Sequence, residues 1–217
     1  VSKRTWIIFV IIIVGVMGAL VVASKSGTKK IDISSVNTSA IQTANDKDGN
    51  IADHTQGNLD SKVILIEYGD YQCPPCANAY PTVKSLIEKY SDKVLFVFRN
   101  FPIPSLHPNA RAAAADAEAA GLQNKYWEMH DKLYENQSAW SSASTSERTT
   151  IFTNYASQIG LDIDKFTKDV SLDSIVAKID FDVAVGQSVK VEGTPTFKLN
   201  GENVNLNDLD TTIQSKL

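Results

Sequence analysis

Cysteine is scarce in this chain of 217 residues: there are two, and both sit in one C-x-x-C, Cys73-Pro74-Pro75-Cys76. That supply excludes a small secreted scaffold stapled by several disulfides, and it lacks the second ligand pair of a structural zinc site. Histidine is nearly as rare. His54, His107 and His130 form no H-x₃₋₅-H pair that would complete a metal site. Nor is positive charge in surplus: 21 Lys and Arg stand against 25 Asp and Glu, a net charge of -4. This balance argues against a nucleic-acid partner. There is no internal repeat. What is present is an ordinary globular composition, 43% hydrophobic and 21% charged, on a chain long enough to bury a core.

The N-terminus has a separate character. Lys3 and Arg4 precede an uncharged run over residues 6–23, rich in Ile and Val, and Lys25, Lys29 and Lys30 follow it. These 18 residues exceed the ~7–15 of a signal-peptide core and reach the lower end of a membrane span, about 17–25. An uncleaved membrane anchor over 1–23 is the expectation, with the short basic start inside and the bulk of the chain exported. A cleaved signal is the alternative, since Val21-x-Ala23 ends the run on a small residue. Residues 24–58 are rich in Ser, Thr, Asn, Asp and Lys and hold no aromatic residue. Such a stretch buries too little apolar surface to offset its ordering entropy, so it reads as a flexible tether. The folded domain is then expected over 59–217.

Within that domain, residues 63–66 form a continuous apolar β-branched run, the pattern of a strand buried on both faces. A helix is expected over 77–90, where Tyr80, Val83, Leu86 and Ile87 recur at helical spacing, and a second buried strand over 94–98. This is the size of a βαβ module with a parallel pair. Residues 108–190 read almost wholly as helices, with Gly121 as a C-cap and Asp162 as an N-cap. A strand over 196–199, a tight turn at Asn200-Gly201, a strand around Val204 and a helix over 207–216 complete the chain. The expected class is α/β, with a helical domain of about 105–190 inserted between a strand–helix–strand half and a strand–strand–helix half.

Cysteines that follow a buried strand and open a helix are placed for redox work. A helix N-terminus offers unpaired N–H groups and partial positive charge, and both stabilise a thiolate. Cys73, at the N-cap, reads as the exposed attacking sulfur, and Cys76, one turn in, as the buried resolving one. A structural disulfide, metal ligation or idle thiols are the plain alternatives. Pro74 and Pro75 tune the pair, because a proline at the second helical position leaves the Cys76 N–H as the main backbone donor. The Cys73 pKa should therefore lie below the free value of about 8.5 but not at the extreme of about 3.5. Glu67, six positions before Cys73, either lies beneath the pair as a buried proton donor and acceptor or simply reaches solvent. Thr194-Pro195, between Gly193 and a strand, is a place where a cis bond would fit.

The segment Glu67-Tyr68-Gly69-Asp70-Tyr71-Gln72-Cys73-Pro74-Pro75-Cys76 resembles the active-site stretch of the DsbA-like branch of the thioredoxin superfamily, in its membrane-anchored or secreted bacterial form. Phe101-Pro102, His107-Pro108-Asn109-Ala110 and the run from Lys125 through His130 to Gln137 resemble that group's helical insertion, and Gly193-Thr194-Pro195-Thr196-Phe197 its cis-proline loop. The resemblance implies a thioredoxin fold interrupted by helices, a cis Pro195 against the cysteine pair, Thr194 offering backbone hydrogen bonds to an extended substrate, and Glu67 as a buried acid. It further implies disulfide exchange on exported proteins with free thiols or disulfides, with no cofactor and with a membrane quinone-linked reoxidase as partner. His107 and His130 read as structural, and Trp127 and Met129 as core. The dipeptide departs from the Pro-His of the best-known strong oxidant, which leaves three activities to weigh. A dithiol oxidase leads, since exported space is where disulfides persist. A reductase or isomerase runs the same exchange the other way. A non-catalytic tethered chaperone, or a copper or zinc carrier, is the remaining alternative.

Overall fold

Two apolar runs, residues 63–66 and 94–98, become the central strands of a sheet. The computed structural model describes residues 31–217, and residues 33–217 form one unit. The expected anchor over residues 6–23 lies outside the described residues; among those described, no helix is long and apolar enough to cross a membrane. Strand β2 (Val63–Gly69) pairs in parallel with β3 (Val94–Asn100), and α1 (Pro74–Lys89) connects them. Strand β1 (His54–Gly57) adds antiparallel to β3, β4 (Thr196–Leu199) adds antiparallel to β2, and β5 (Glu202–Val204) closes the far edge. The spatial order is β1-β3-β2-β4-β5.

Between β3 and β4 come only helices: α2 (Ala110–Gly121), α3 (Tyr126–Glu135), α4 (Gln137–Trp140), α5 (Thr145–Gln158), α6 (Ile163–Asp169) and α7 (Asp173–Ser188). Helix α8 (Leu209–Lys216) follows β5. Local chemistry explains several ends. Ser144 and Glu147 form a reciprocal capping box that starts α5, and the Asp162 carboxylate accepts from the Lys165 N–H to start α6. Asn200 and Gly201 both adopt positive φ, 49° and 87°, the geometry of a two-residue hairpin turn.

The strand period sorts side chains onto two faces. Leu65, Phe96, Phe98, Phe197 and Leu199 join one core with Val83 and Leu86 of α1, Met129 and Leu133 of α3, and Ile213 of α8. Glu67 falls on that face too, two residues after Leu65 and opposite Phe98 and Phe197 in the register. Tyr68 and Arg99 share the other face, where Gly186 of α7 approaches Tyr68 so closely that a Cβ there would lie 3.1 Å from its ring.

The tether expectation for 24–58 needs correction over residues 38–58, while its first residues, 24–30, lie outside the described residues. Residues from Thr38 onward are bound to the domain, and β1 belongs to the sheet. A fully buried Arg99 donates to the carbonyls of Thr38 and Ala40 and pairs with Asp53 at 2.8 Å. Lys178 of α7 bridges Asp53 and Asp182, all with fully buried side chains. Asn45 and Asp48 form a capping box around a short 3-10 turn, Asp46–Asp48. Residues 38–53 are held by buried ions and backbone hydrogen bonds. A criterion based on apolar content is blind to such contacts.

Candidate active site

The loop between β2 and α1 is fixed before the cysteines are reached. The Asp70 carboxylate accepts from the Gln72 N–H (2.8 Å) and the Ile103 N–H (2.9 Å), and it pairs with His107 Nδ1 (2.8 Å). The Asp70 carbonyl accepts from the Cys73 N–H at 3.0 Å. From the inserted helices, Gln137 Nε2 donates to the carbonyls of Tyr71 (2.8 Å) and Cys73 (2.9 Å). The Gln72 amide meets the Asn109 N–H and the Ser141 carbonyl, both at 2.6 Å. The insertion thus clamps the loop that presents Cys73. Asp70, Gln72 and Gln137 went unnoticed as site residues in the sequence; the Asp-x-Gln spacing of an Asx turn was the available sign.

Cys73 is the N-cap of α1, with Pro74 and Pro75 at its first two positions. The Cys73 carbonyl accepts from the N–H groups of Cys76 (3.1 Å) and Ala77 (3.2 Å). Cys76 is fully buried. Cys73 is only 5% exposed, which corrects the expectation of an open attacking sulfur. The cause is the loop before β4: the Cys73 thiol donates to the Thr194 carbonyl at 3.2 Å, and the Thr194–Pro195 bond beside it is cis. The prolines are the exposed part of the motif.

The electrostatics of the two sulfurs diverge. The Cys76 thiol, then Thr194 and the Cys76 N–H, stabilise the Cys73 thiolate and lower its pKa to about 6, against burial and the charge of Asp70. Burial pushes Cys76 far above the ordinary thiol range, helped by its bond to Cys73 and by the charge of Glu67. Glu67 is 4% exposed. Burial and then the charge on Cys73 raise its pKa to about 8, so its carboxyl is mostly protonated at neutral pH. Glu67, Cys73, Cys76 and the Thr194–Pro195 turn therefore form one constellation. It brings together two thiols of opposite pKa shift and a buried acid, groups able to carry thiol–disulfide exchange. Thr194 Oγ1 is buried with no hydrogen-bond partner while Cys73 is a thiol. Among the described residues no group of three His, Cys, Asp or Glu side chains is arranged to hold a metal ion. His107 lies at this site through Asp70, whereas His54 stacks on Tyr126 and pairs with Glu118 at 2.8 Å.

Comparison with known proteins agrees with the geometry. A sequence profile of the family described as Thioredoxin matches residues 49–215. The fold is similar to a thioredoxin-like oxidoreductase from Silicibacter pomeroyi DSS-3, with a TM-score of 0.63 and 27% identity over 76% of this chain and 91% of that one. It is also similar to BdbD from Bacillus subtilis in its oxidised form, with a TM-score of 0.66 and 21% identity over 82% and 97% of the two chains. The thiol-disulfide exchange protein alpha-DsbA2 from Wolbachia pipientis matches with a TM-score of 0.65 and 24% identity over 75% and 86%. Among curated proteins, the Na(+)/H(+) antiporter NhaA 1 of Salinispora arenicola is 36% identical over 149 residues, which is 69% of this chain but 22% of that protein. The chain thus spans less than a quarter of that relative's length.

Proposed function

The chain belongs to the thioredoxin family, and we propose that it is a DsbA-like thiol–disulfide oxidoreductase that works as a dithiol oxidase on exported proteins. The observation that carries this direction is the split between the sulfurs: Cys73 lowered to about 6, Cys76 pushed up. A stabilised thiolate favours the reduced form of the enzyme, which makes its disulfide the stronger oxidant. In this reading a substrate thiolate attacks Cys73 Sγ, the Cys73–Cys76 bond breaks, and its electron pair leaves on Cys76. Glu67 gives that sulfur a proton. A second substrate thiolate then attacks the mixed disulfide and releases Cys73 as its stable thiolate, leaving substrate oxidised and enzyme reduced. The Thr194 carbonyl lies against Cys73, next to the cis bond to Pro195, where the two residues would hold an extended substrate segment by backbone hydrogen bonds. Pro74 and Pro75 moderate the thiolate by withholding two N–H groups from the helix start.

The apolar run at 6–23 supports a setting at the membrane with the catalytic domain outside the cytoplasm. The likeness to part of proteins named Na(+)/H(+) antiporters is in keeping with that setting. Turnover as an oxidase calls for a membrane quinone-linked reoxidase. The test is oxidative refolding of reduced RNase by the full chain, alongside insulin reduction. The oxidase account expects refolding to be the faster activity and Cys73→Ser to abolish both. Faster insulin reduction would favour a reductase, and unchanged activity in Cys73→Ser would point to a binding module.

A further inference from the structure

A cavity of about 110 Å³ lies beneath the cysteine helix. Buried Glu67 is among its lining residues, and so are the exposed Glu88 and the half-buried Lys84 and Asp131. Tyr80, Trp127, His130 and Tyr134 line it between. Two of these carry buried polar atoms with no partner, His130 Nε2 and the Tyr134 hydroxyl. Leaving such atoms dry costs about 1–3 kcal/mol each. The cavity is large enough for water, which needs about 10–15 Å³ of such space apiece, and the two unpaired polar atoms give that water partners. His130 is otherwise anchored: its Nδ1 lies 3.1 Å from the Asp131 carboxylate, and its ring packs edge-on against Phe98 and Tyr134.

We propose that this cavity is the proton path of Glu67 and that His130 is its relay, exchanging with Glu67 through cavity water at Nε2 and with Asp131 and solvent at Nδ1. The proposal rests on the Cys73–Cys76 exchange site but not on its direction. When Cys76 attacks a mixed disulfide at Cys73, its thiol proton passes to the Glu67 carboxylate. The new bond joins the two cysteines, and the partner's sulfur leaves with the electron pair of the broken one. Glu67 hands the proton through water to Nε2 while Nδ1–H releases its own to Asp131. In the opposite half-reaction every transfer is reversed, and Glu67 is reprotonated after it has served Cys76.

The groups that face the relay suit that traffic. Burial, then the charges of Lys84 and His54, keep His130 below the usual histidine range, so the ring is neutral and ready to accept. Asp131, despite its burial, is held below the usual carboxylate range by His130 and by Lys84 at 2.7 Å, so it stays ionised, fixes the ring proton on Nδ1 and passes a proton on to solvent rather than keeping it. Tyr71, Tyr80, Tyr126 and Tyr134 also face the ring, and burial keeps each of them a neutral phenol. The sequence suggests a structural His130, but its buried Nε2 has no partner.

The test is a double-mutant cycle in the full chain. His130→Phe keeps the ring and its aromatic contacts, and His130→Gln is the paired variant should phenylalanine disturb packing. Stopped-flow rates of reduction by dithiothreitol, and of reoxidation by oxidised glutathione, are followed across neutral pH. Each histidine variant is expected to slow the step that protonates or deprotonates Cys76 about tenfold, at the modest end of general acid–base effects, and to flatten its pH profile. In a Glu67→Gln background neither should slow it further. Unchanged rates in both variants, or the same slowing with and without Glu67, would overturn the relay. A reducing potential would sink the oxidase direction yet leave this coupling intact, so the two failures are distinguishable.

Discussion

Thr194→Val tests how the Cys73 thiolate is stabilised. While Cys73 is a thiol it donates to the Thr194 carbonyl at 3.2 Å, and the Thr194 hydroxyl is buried without a partner. Ionisation removes the thiol's proton, and the idle hydroxyl becomes a donor to the sulfur. Valine keeps the shape and the carbonyl but deletes that donor. A hydrogen bond to a charged acceptor is worth ~1.5–3 kcal/mol, or about 1–2 pKa units at ~1.36 kcal/mol each. The Cys73 midpoint should therefore rise from about 6 to about 7–8. At pH 7 the thiolate at a pKa of about 6 stabilises the reduced enzyme by about 1.4 kcal/mol, and at about 7.5 by about 0.2, so the variant's potential should fall by about 25 mV. Thiolate absorbance and iodoacetamide alkylation against pH read the midpoint, and glutathione equilibration reads the potential. Thr194→Ser, which keeps the hydroxyl, should stay near the original values. A midpoint unmoved by valine, or a Cys73 pKa above about 8.5 in the unmodified chain, would refute this account of the thiolate.

Other perturbations follow from the same contacts. Glu67 binds a proton in the folded, reduced protein up to a pKa of about 8, against 4.5 ordinarily, so the native state holds more protons than the unfolded one between those values. Stability should fall as pH rises through that window, by up to about 5 kcal/mol. Glu67→Gln should match the unmodified chain near pH 5 and exceed it near pH 9 in urea unfolding; parallel curves would contradict the raised pKa. Arg99→Met strands buried Asp53 without one of its two cations and releases the Thr38 and Ala40 carbonyls. It should cost about 3–5 kcal/mol and move the first protease cut into residues 38–53; unchanged proteolysis would show that the segment is held by something else. Gly49 has φ 67°, and a Cβ there would sit 2.1 Å from the Ser174 carbonyl oxygen. Gly49→Ala should lose at least ~1–2 kcal/mol from the left-handed backbone alone, read as a lowered Tm.

Much of this architecture is legible in the residues because local and global preferences agree. The apolar run at 63–66 and the C-x-x-C after it announce a buried strand feeding a helix, and Asn200-Gly201 announces the hairpin. The strands nonetheless extend further, to Gly69 and Asn100. Their last residues are polar, and an apolar pattern ends where polar side chains begin. Glu67, Arg99 and Asn100 remain buried in the strands because other elements meet them. Arg99 has Asp53, and Asn100 has Asp182 and the Glu118 carboxylate at 2.7 Å. Strand β1 and the segment before it are hidden for the same reason: Gly57 pairs with Leu95 38 positions on, and Asp53 meets Lys178 125 positions on. The cysteine pair and the Thr194-Pro195 turn were visible as motifs. The burial of Cys73 under the Thr194 carbonyl was not, because contact across 121 positions leaves no local trace. The His130 cavity is of that kind as well, assembled from β1, β2, α1, β3 and α3.

Cys73 and Cys76 are proposed to form an oxidising couple because the Cys73 thiolate is stabilised and that of Cys76 is not. The reduction potential of that couple, equilibrated with glutathione and read by trapping both thiols, tests it most directly. The expected value lies well above the about -270 mV of thioredoxin, toward the about -180 to -120 mV of protein disulfide isomerase and DsbA. A potential at or below about -270 mV would contradict it and assign the exchange to reduction.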